Sequence, residues 1–137
     1  MTNNDIEVVL RKPSAEEYSR LREAAGWSVP PLAACEEALR NSVFGAVAVR
    51  GGRAVGMVRV VGDGALWNYI QDLIVQPECQ RQGVGRRLME AAMAELARRS
   101  APKSNVALIS APKAVQFYER FGFERCPPDR PAMRRKL

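Results

Sequence analysis

The sequence predicts an α/β (α+β) domain, with one mixed central sheet flanked by helices. Three observations carry this. The chain has 137 residues, the size of one domain, so a single unit over residues 1–137 is expected. Its middle holds three strand-like runs in succession, separated by glycine turns, which predicts an antiparallel meander. The hydrophobic period then switches to helical spacing at Gly83 and back to a short apolar run at Val106, so a crossover follows the meander.

The elements follow in order. Residues 6–11 read as a short strand. Ser14-Ala15-Glu16-Glu17 is a capping box, with Ser at the N-cap and Glu three residues on. A helix follows to about Ala25 and is stopped by Gly26. Trp27-Ser28-Val29-Pro30-Pro31 is a break, and Pro31 opens a second short helix towards Asn41. Residues 44–50 form a strand that ends at the hairpin signal Gly51-Gly52. Residues 54–61 return, Asp63-Gly64 turns again, and residues 66–75 form the third strand, closed by Pro77.

From Gly83 to about Arg99, apolar residues fall at Val84, Leu88, Ala91, Ala92 and Leu96, a helix with one buried stripe. Residues 106–110 are a short apolar run, as expected of a buried strand. Pro112 starts a helix through Arg120, and Gly122 stops it. Phe123 and the tail to Leu137 are expected to return as edge strands. The order is β-α-α-β-β-β-α-β-α-β-β.

Composition narrows the chemistry. Apolar residues make up 47% and charged residues 26%, which suits a globular chain with a real core. No apolar run approaches the ~20 residues that span a bilayer, so no membrane partner is expected. Met1-Thr2-Asn3-Asn4-Asp5 has no basic region followed by an apolar core, so no signal peptide is expected. There is no histidine, which excludes a Ser-His-Asp triad, a histidine base and a His-ligated metal. The three cysteines, Cys35, Cys79 and Cys126, are far apart and form no CxxC pair, so neither a disulfide framework nor a metal site is expected. A reducing cytoplasm is the simplest compartment on that ground. The net charge of +6 favours an anionic partner. Arginines cluster at Arg81, Arg86 and Arg87, and again at Arg130, Arg134 and Arg135 beside Lys136. Basic residues do not interleave with aromatics and no nucleic-acid signature is present, so nucleic acid is not expected.

The segment from Val75 to Leu88 carries the strongest signal. A strand ends, a loop crosses, and a helix begins on Gly83 and Gly85. Such a turn aims several backbone N–H groups at one point, at the positive end of a helix, and glycine admits close approach. This suits a phosphate or pyrophosphate, and the arginines deepen it. It is not a P-loop, because Arg86-Arg87 stand where Gly-Lys-Ser/Thr is required. It is not the GxGxxG dinucleotide loop, because Leu88 stands at the third glycine.

Gln80-x-x-Gly83-x-Gly85 resembles the Q/R-x-x-G-x-G/A acetyl-CoA signature of the GCN5-related N-acetyltransferase (GNAT) superfamily. Downstream, Ala114-Val115-Gln116-Phe117-Tyr118-Glu119-Arg120-Phe121-Gly122-Phe123 is similar to that family's A-x-x-F-Y-x-x-x-G-F segment. Order and spacing agree, and the resemblance is specific from Leu66 to Phe123. It implies acetyl-CoA as cosubstrate, no metal, and direct transfer to an amine. The backbone of Gln80, Arg81, Gln82, Gly83, Val84, Gly85, Arg86 and Arg87 would then hold the pyrophosphate. Leu73, Ile74 and Val75 on the preceding strand would line the pantetheine arm, where that strand splays from residues 106–110.

Acetyl transfer sets requirements of its own. An amine of pKa ~10 is about 99.9% protonated at pH 7, which withholds roughly 4 kcal/mol of nucleophile. The thioester carbonyl needs a hydrogen-bond donor, and the leaving thiolate benefits from a proton. The resemblance implies the Leu73 backbone N–H as the first and Tyr118 as the second. Tyr118 is otherwise a core aromatic beside Phe117, Phe121 and Phe123. Asp72 is a candidate base, set by alternation on the opposite face from Tyr69 and Gln71. Its other reading is a salt bridge to an arginine such as Arg59. The stretch is similar to the Glu-Asp pair of glucosamine-6-phosphate N-acetyltransferases, with Gln71 in place of the glutamate. Ala111 departs from the family's asparagine, which bonds the pantetheine. Cys79 adjoins the pyrophosphate loop and is read as incidental.

Trp27, Tyr69 and Gln71 are candidate acceptor contacts, and the acceptor expected is a small primary amine such as an amino sugar or aromatic amine. A protein or peptide N-acetyltransferase is the alternative, and a non-catalytic acyl-CoA sensor is the alternative from another class. A homodimer through the terminal strands is a further implication of the resemblance.

Overall fold

The structure is a computed structural model that describes residues 5–137. The expectation of no signal peptide rests on residues 1–5, of which 1–4 lie outside the described residues. Among the described residues no helix is long and apolar enough to cross a membrane.

The observed elements are β1 (Ile6–Val9), α1 (Ala15–Ala24), α2 (Leu32–Arg40), β2 (Phe44–Arg50), β3 (Arg53–Gly62), β4 (Trp67–Val75), α3 (Val84–Arg99), β5 (Asn105–Ala107) and α4 (Val115–Glu119). They build one five-stranded sheet in the order β1-β2-β3-β4-β5. The first four strands are antiparallel neighbours, and β5 joins β4 in parallel after the α3 crossover. The mixed sheet and its flanking helices agree with the predicted class.

Local chemistry accounts for the well-placed elements. The Ser14 hydroxyl accepts from the Glu17 N–H at 3.1 Å while the Glu17 carboxylate accepts from the Ser14 N–H at 2.8 Å, completing the capping box. The β2–β3 hairpin turns on Gly51 and Gly52, both at positive φ, as a two-residue turn of this hand requires. One core layer lies between the sheet and α3, where Leu88, Met89 and Ala92 meet Ala46, Val58, Val60 and Ile70. The other lies under α1 and α2, where Tyr18, Leu21 and Cys35 meet Val47, Met57 and Ile74. Each fully buried large side chain contributes about 1.5–3 kcal/mol.

A bulge interrupts β4. Arg59 stands opposite Gln71 and Met57 opposite Ile74, so β4 carries one extra residue there. Asp72 takes φ 57, a left-handed conformation that Asp and Asn tolerate better than most residues. The bulge reverses the alternation. Ile70 packs beneath α3, whereas Asp72 and Ile74 face α1. Simple alternation, from which the Asp72 face was predicted, therefore fails across this step.

Two expectations about the C-terminal part are corrected. Residues 123–137 form no strand. Pro127, Pro128 and Pro131 carry no N–H for a ladder, which accounts for this. The terminal strands on which a homodimer was expected are thus not formed. Without them β5 is the sheet edge, so residues 106–108 are half-buried and Ile109 is 57% exposed rather than covered on both sides.

Candidate active site

The ladder between β4 and β5 ends at Tyr69–Ala107, and beyond it the two segments diverge. The gap is a cleft of about 1310 Å3. That exceeds the roughly 300–1,000 Å3 typical of small-ligand pockets, which leaves room for an elongated ligand and a second molecule. Four pieces of the chain build its walls: the β4 bulge, the loop into α3, the segment from Leu108 through α4, and Trp27.

The α3 end is shaped for an anion. Gly83, at φ 79, is the N-cap, has no side chain to cap the helix, and is followed by a first turn without an acidic residue. Arg81 is also left-handed, at φ 62, so the loop turns sharply before the helix begins. Gly85 lies inside the helix, where glycine costs about 1 kcal/mol relative to alanine. A Cβ there would meet Phe117 and Val75 at 3.8 Å, ordinary contact, so packing does not demand glycine at this position. The open space over the bare helix end fits a pyrophosphate approaching the backbone.

Tyr118 on α4 lines the cleft. Its ring packs edge-to-face against Phe117 and Phe123. Its hydroxyl has no hydrogen-bond partner among the described residues. Burial, and then Tyr69 nearby, push its pKa above the ordinary tyrosine value, so it stays protonated and can donate. The two readings of this residue are compatible: the ring packs, and the residue lines the cleft with its hydroxyl unpaired.

Asp72 sits beneath the bulge with its side chain fully buried. Tyr18 Oη donates to Oδ2 at 2.6 Å, Arg22 Nη1 to Oδ1 at 2.6 Å, and Arg59 Nε to Oδ2 at 3.0 Å. Burial and this carboxylate raise the Tyr18 pKa to about 12. Arg22 also donates from Nε to the Ser28 carbonyl at 2.7 Å, and its guanidinium lies 5.4 Å from the Trp27 ring centre. One side chain thus ties the β4 bulge to the loop that carries Trp27. The bulge leaves Leu73 without a register partner on β3 or β5.

Comparisons with known proteins give the family. The acetyltransferase (GNAT) domain family matches residues 13–134. The chain belongs to the GNAT family. Among solved structures, this GNAT chain is similar to a protein of unknown function from methicillin-resistant Staphylococcus aureus, described as a probable acetyltransferase, at 33% identity and TM-score 0.88, covering 96% of this chain and 99% of that one. A GNAT acetyltransferase from Brucella melitensis in complex with acetyl-CoA shares the fold at 21% identity and TM-score 0.67, over 87% of this chain and 82% of that one.

Among curated relatives, rice serotonin N-acetyltransferase 2, chloroplastic, is 41% identical over 76 residues, 56% of this chain and 37% of that protein. Soybean histone acetyltransferase TAP1 is 31% identical over 118 residues, 78% of this chain and 50% of that protein. The chain therefore spans about half or less of the length of these two. The cytoplasmic expectation is overturned by the relatives named chloroplastic, from rice and Arabidopsis. Free cysteines signal a reducing compartment, and that is not the cytosol alone. Cys35 and Cys79 are buried and Cys126 is exposed, all free.

The GNAT cleft gathers most of the predicted residues. Trp27, Gln71, Asp72, Leu73, Val75 and Gln80 line it, as do Arg81, Gly83, Val84, Gly85, Arg86 and Tyr118. Four predicted residues fall outside its lining. Ile74 is turned by the bulge into the core beneath α1. Arg87 donates from its side chain to the Ile6 carbonyl at 2.9 Å and from its backbone to Gly83 at 3.1 Å, so it anchors α3 to β1. Gln82 points its amide at the Glu78 carbonyl. Tyr69 has its oxygen against the Ile109 amide. Sequence reasoning missed Tyr18 and Arg22; their one signal was spacing, four apart on a helix that ends beside Trp27. Lys113 and Arg120 also line the cleft and add cations.

Proposed function

We propose that this chain is an acetyl-CoA-dependent N-acetyltransferase that passes the acetyl group directly to a small primary amine. The observation that carries the reading is a single cleft lined both by a bare helix N-terminus and by Tyr118, whose hydroxyl is protonated and has no partner among the described residues. The backbone from Arg81 to Arg86 would bind the pyrophosphate, with Arg81 and Arg86 adding charge. Acetyl-CoA supplies an activated thioester when bound. The Leu73 N–H would donate to its carbonyl oxygen, and Tyr118 would hold a proton for the leaving sulfur. Asp72, engaged by three donors, serves as the anchor of the bulge rather than as a base. Trp27 on the cleft wall supports an acceptor with an aromatic or flat apolar face, and the rice relative's name points the same way. The soybean relative's name supports a protein acceptor as the second reading.

A thermal shift with acetyl-CoA, followed by thiol release on an amine panel that includes a histone peptide, tests this. Ligand at 100 times its Kd is expected to add about 2.7 kcal/mol of stability. A shift with release on small amines is the expected result. A shift with no release supports an acyl-CoA sensor, and no shift overturns the reading. Gly85→Ala sharpens the test. Helix propensity predicts an unchanged or raised melting temperature, by up to ~1 kcal/mol of stability. The added methyl is expected to weaken acetyl-CoA binding. Unchanged affinity would remove the Gly85 position from the cofactor site.

A further inference from the structure

We infer that the acceptor site takes its amine in the uncharged form, and so selects weakly basic primary amines, those whose ammonium loses its proton near or below pH ~8, over simple alkylamines. The inference rests on the transfer reading above and narrows its substrate.

The proton balance comes first. When a neutral amine attacks the thioester, one N–C bond forms and one C–S bond breaks. The proton that leaves nitrogen is matched by the one that sulfur gains, so no outside base is consumed. An ammonium ion brings one proton more, and that proton must go to a side chain or to bulk water before attack.

The cleft offers no side chain for it. Among the described residues its lining holds two carboxylates. Glu90, at the α3 end, is paired with Arg86 at 3.0 Å. Asp72, from β4, is buried under Arg22 from α1 and Arg59 from β3, with Tyr18 on the same oxygen as Arg59. To accept a proton it would have to leave two part-buried guanidinium groups without a counter-charge, which costs several kcal/mol. The tyrosines are no better. Burial raises Tyr118 on α4 and Tyr69 on β4, so each keeps its proton at neutral pH; Arg134 of the tail and Asp72 are the charges that act on Tyr69, in opposite senses. The chain contains no histidine.

The field agrees with the proton count. Two guanidinium groups face one carboxylate beneath the bulge, a net positive charge. With Arg81 and Arg86 given to the pyrophosphate, the other charged side chains along the cleft are Lys113 and Arg120, beside the Glu90 that pairs with Arg86. Such a site repels an ammonium ion and admits the free base.

The test is the pH dependence of kcat/KM for the full chain with 2-phenylethylamine and its β-fluoro and β,β-difluoro derivatives. These probes share one skeleton while each fluorine lowers the amine pKa. The rising limb is expected to follow each amine's own pKa, moving to lower pH with every fluorine, with a slope of one proton. A rising limb at one common pH for all three would reveal a base on the protein and overturn the inference alone. Thiol release from none of the three, with acetyl-CoA bound, would overturn the small-amine reading and the inference with it.

Discussion

Tyr118→Phe is expected to lower turnover by at least ten-fold while leaving acetyl-CoA affinity within about two-fold. A positioned general acid contributes typically ~10²–10⁴ in rate, so the lower bound is modest. The separation of the two effects follows from the geometry. The ring packs against Phe117 and Phe123, and phenylalanine keeps both contacts. The hydroxyl makes no bond inside the protein, so its removal leaves no group unsatisfied and should not lower the melting temperature. Burial holds the phenol protonated, so no loss of activity from its ionisation is expected between pH 6 and 9. Kinetics and acetyl-CoA titration of the one variant check both halves. Unchanged turnover would reduce Tyr118 to a packing residue.

Where local chemistry sets the backbone, the fold was legible. The 44–50 strand was read to the residue, because Gly51-Gly52 permits the left-handed turn and little else. The first helix was placed by Ser14 and Glu17, whose reciprocal bonds need no tertiary partner. The α3 stripe was legible because its period repeats over sixteen residues.

Failure came where partners decide. The run at 106–110 reads as buried, yet burial requires a neighbour on its far side, and the proline-rich tail supplies none. The bulge at Asp72 was illegible for a different reason. Nothing but an aspartate marks it, and period-2 reasoning holds only while the pairing register holds. Ile74 was grouped with Leu73 and Val75 by the resemblance, whereas its side chain packs in the core beneath α1. The glycine loop and Tyr118, each singled out by a short motif, line one cleft. Arg22 was missed because its role depends on Asp72, fifty residues away, and on the Ser28 carbonyl at once.

Asp72 should give the largest stability effect. Asp72→Ala is expected to cost about 3–5 kcal/mol, because it leaves two part-buried guanidinium groups and a buried phenol without their acceptor. Against the ~5–15 kcal/mol that holds a typical domain, this brings the fold close to failure. Asp72→Asn should cost less, since asparagine tolerates the left-handed backbone and keeps one acceptor oxygen. That variant carries the functional question. If Asp72 anchors the bulge and, through Arg22, the loop bearing Trp27, the folded Asp72→Asn protein should show a raised acceptor KM. Its acetyl-CoA affinity should be retained, and the pH of the rising limb unchanged. A shifted or abolished pH limb would instead make Asp72 the base.

Arg22→Leu separates the two ends of the contact, by removing the guanidinium while the aspartate keeps Arg59 and Tyr18. In the double variant the stability losses should fall short of their sum by more than ~1 kcal/mol, as buried contacting partners do. Strict additivity would mean that Asp72 holds the bulge through Arg59 and Tyr18 alone. The path from the bulge to Trp27 would then carry no energy.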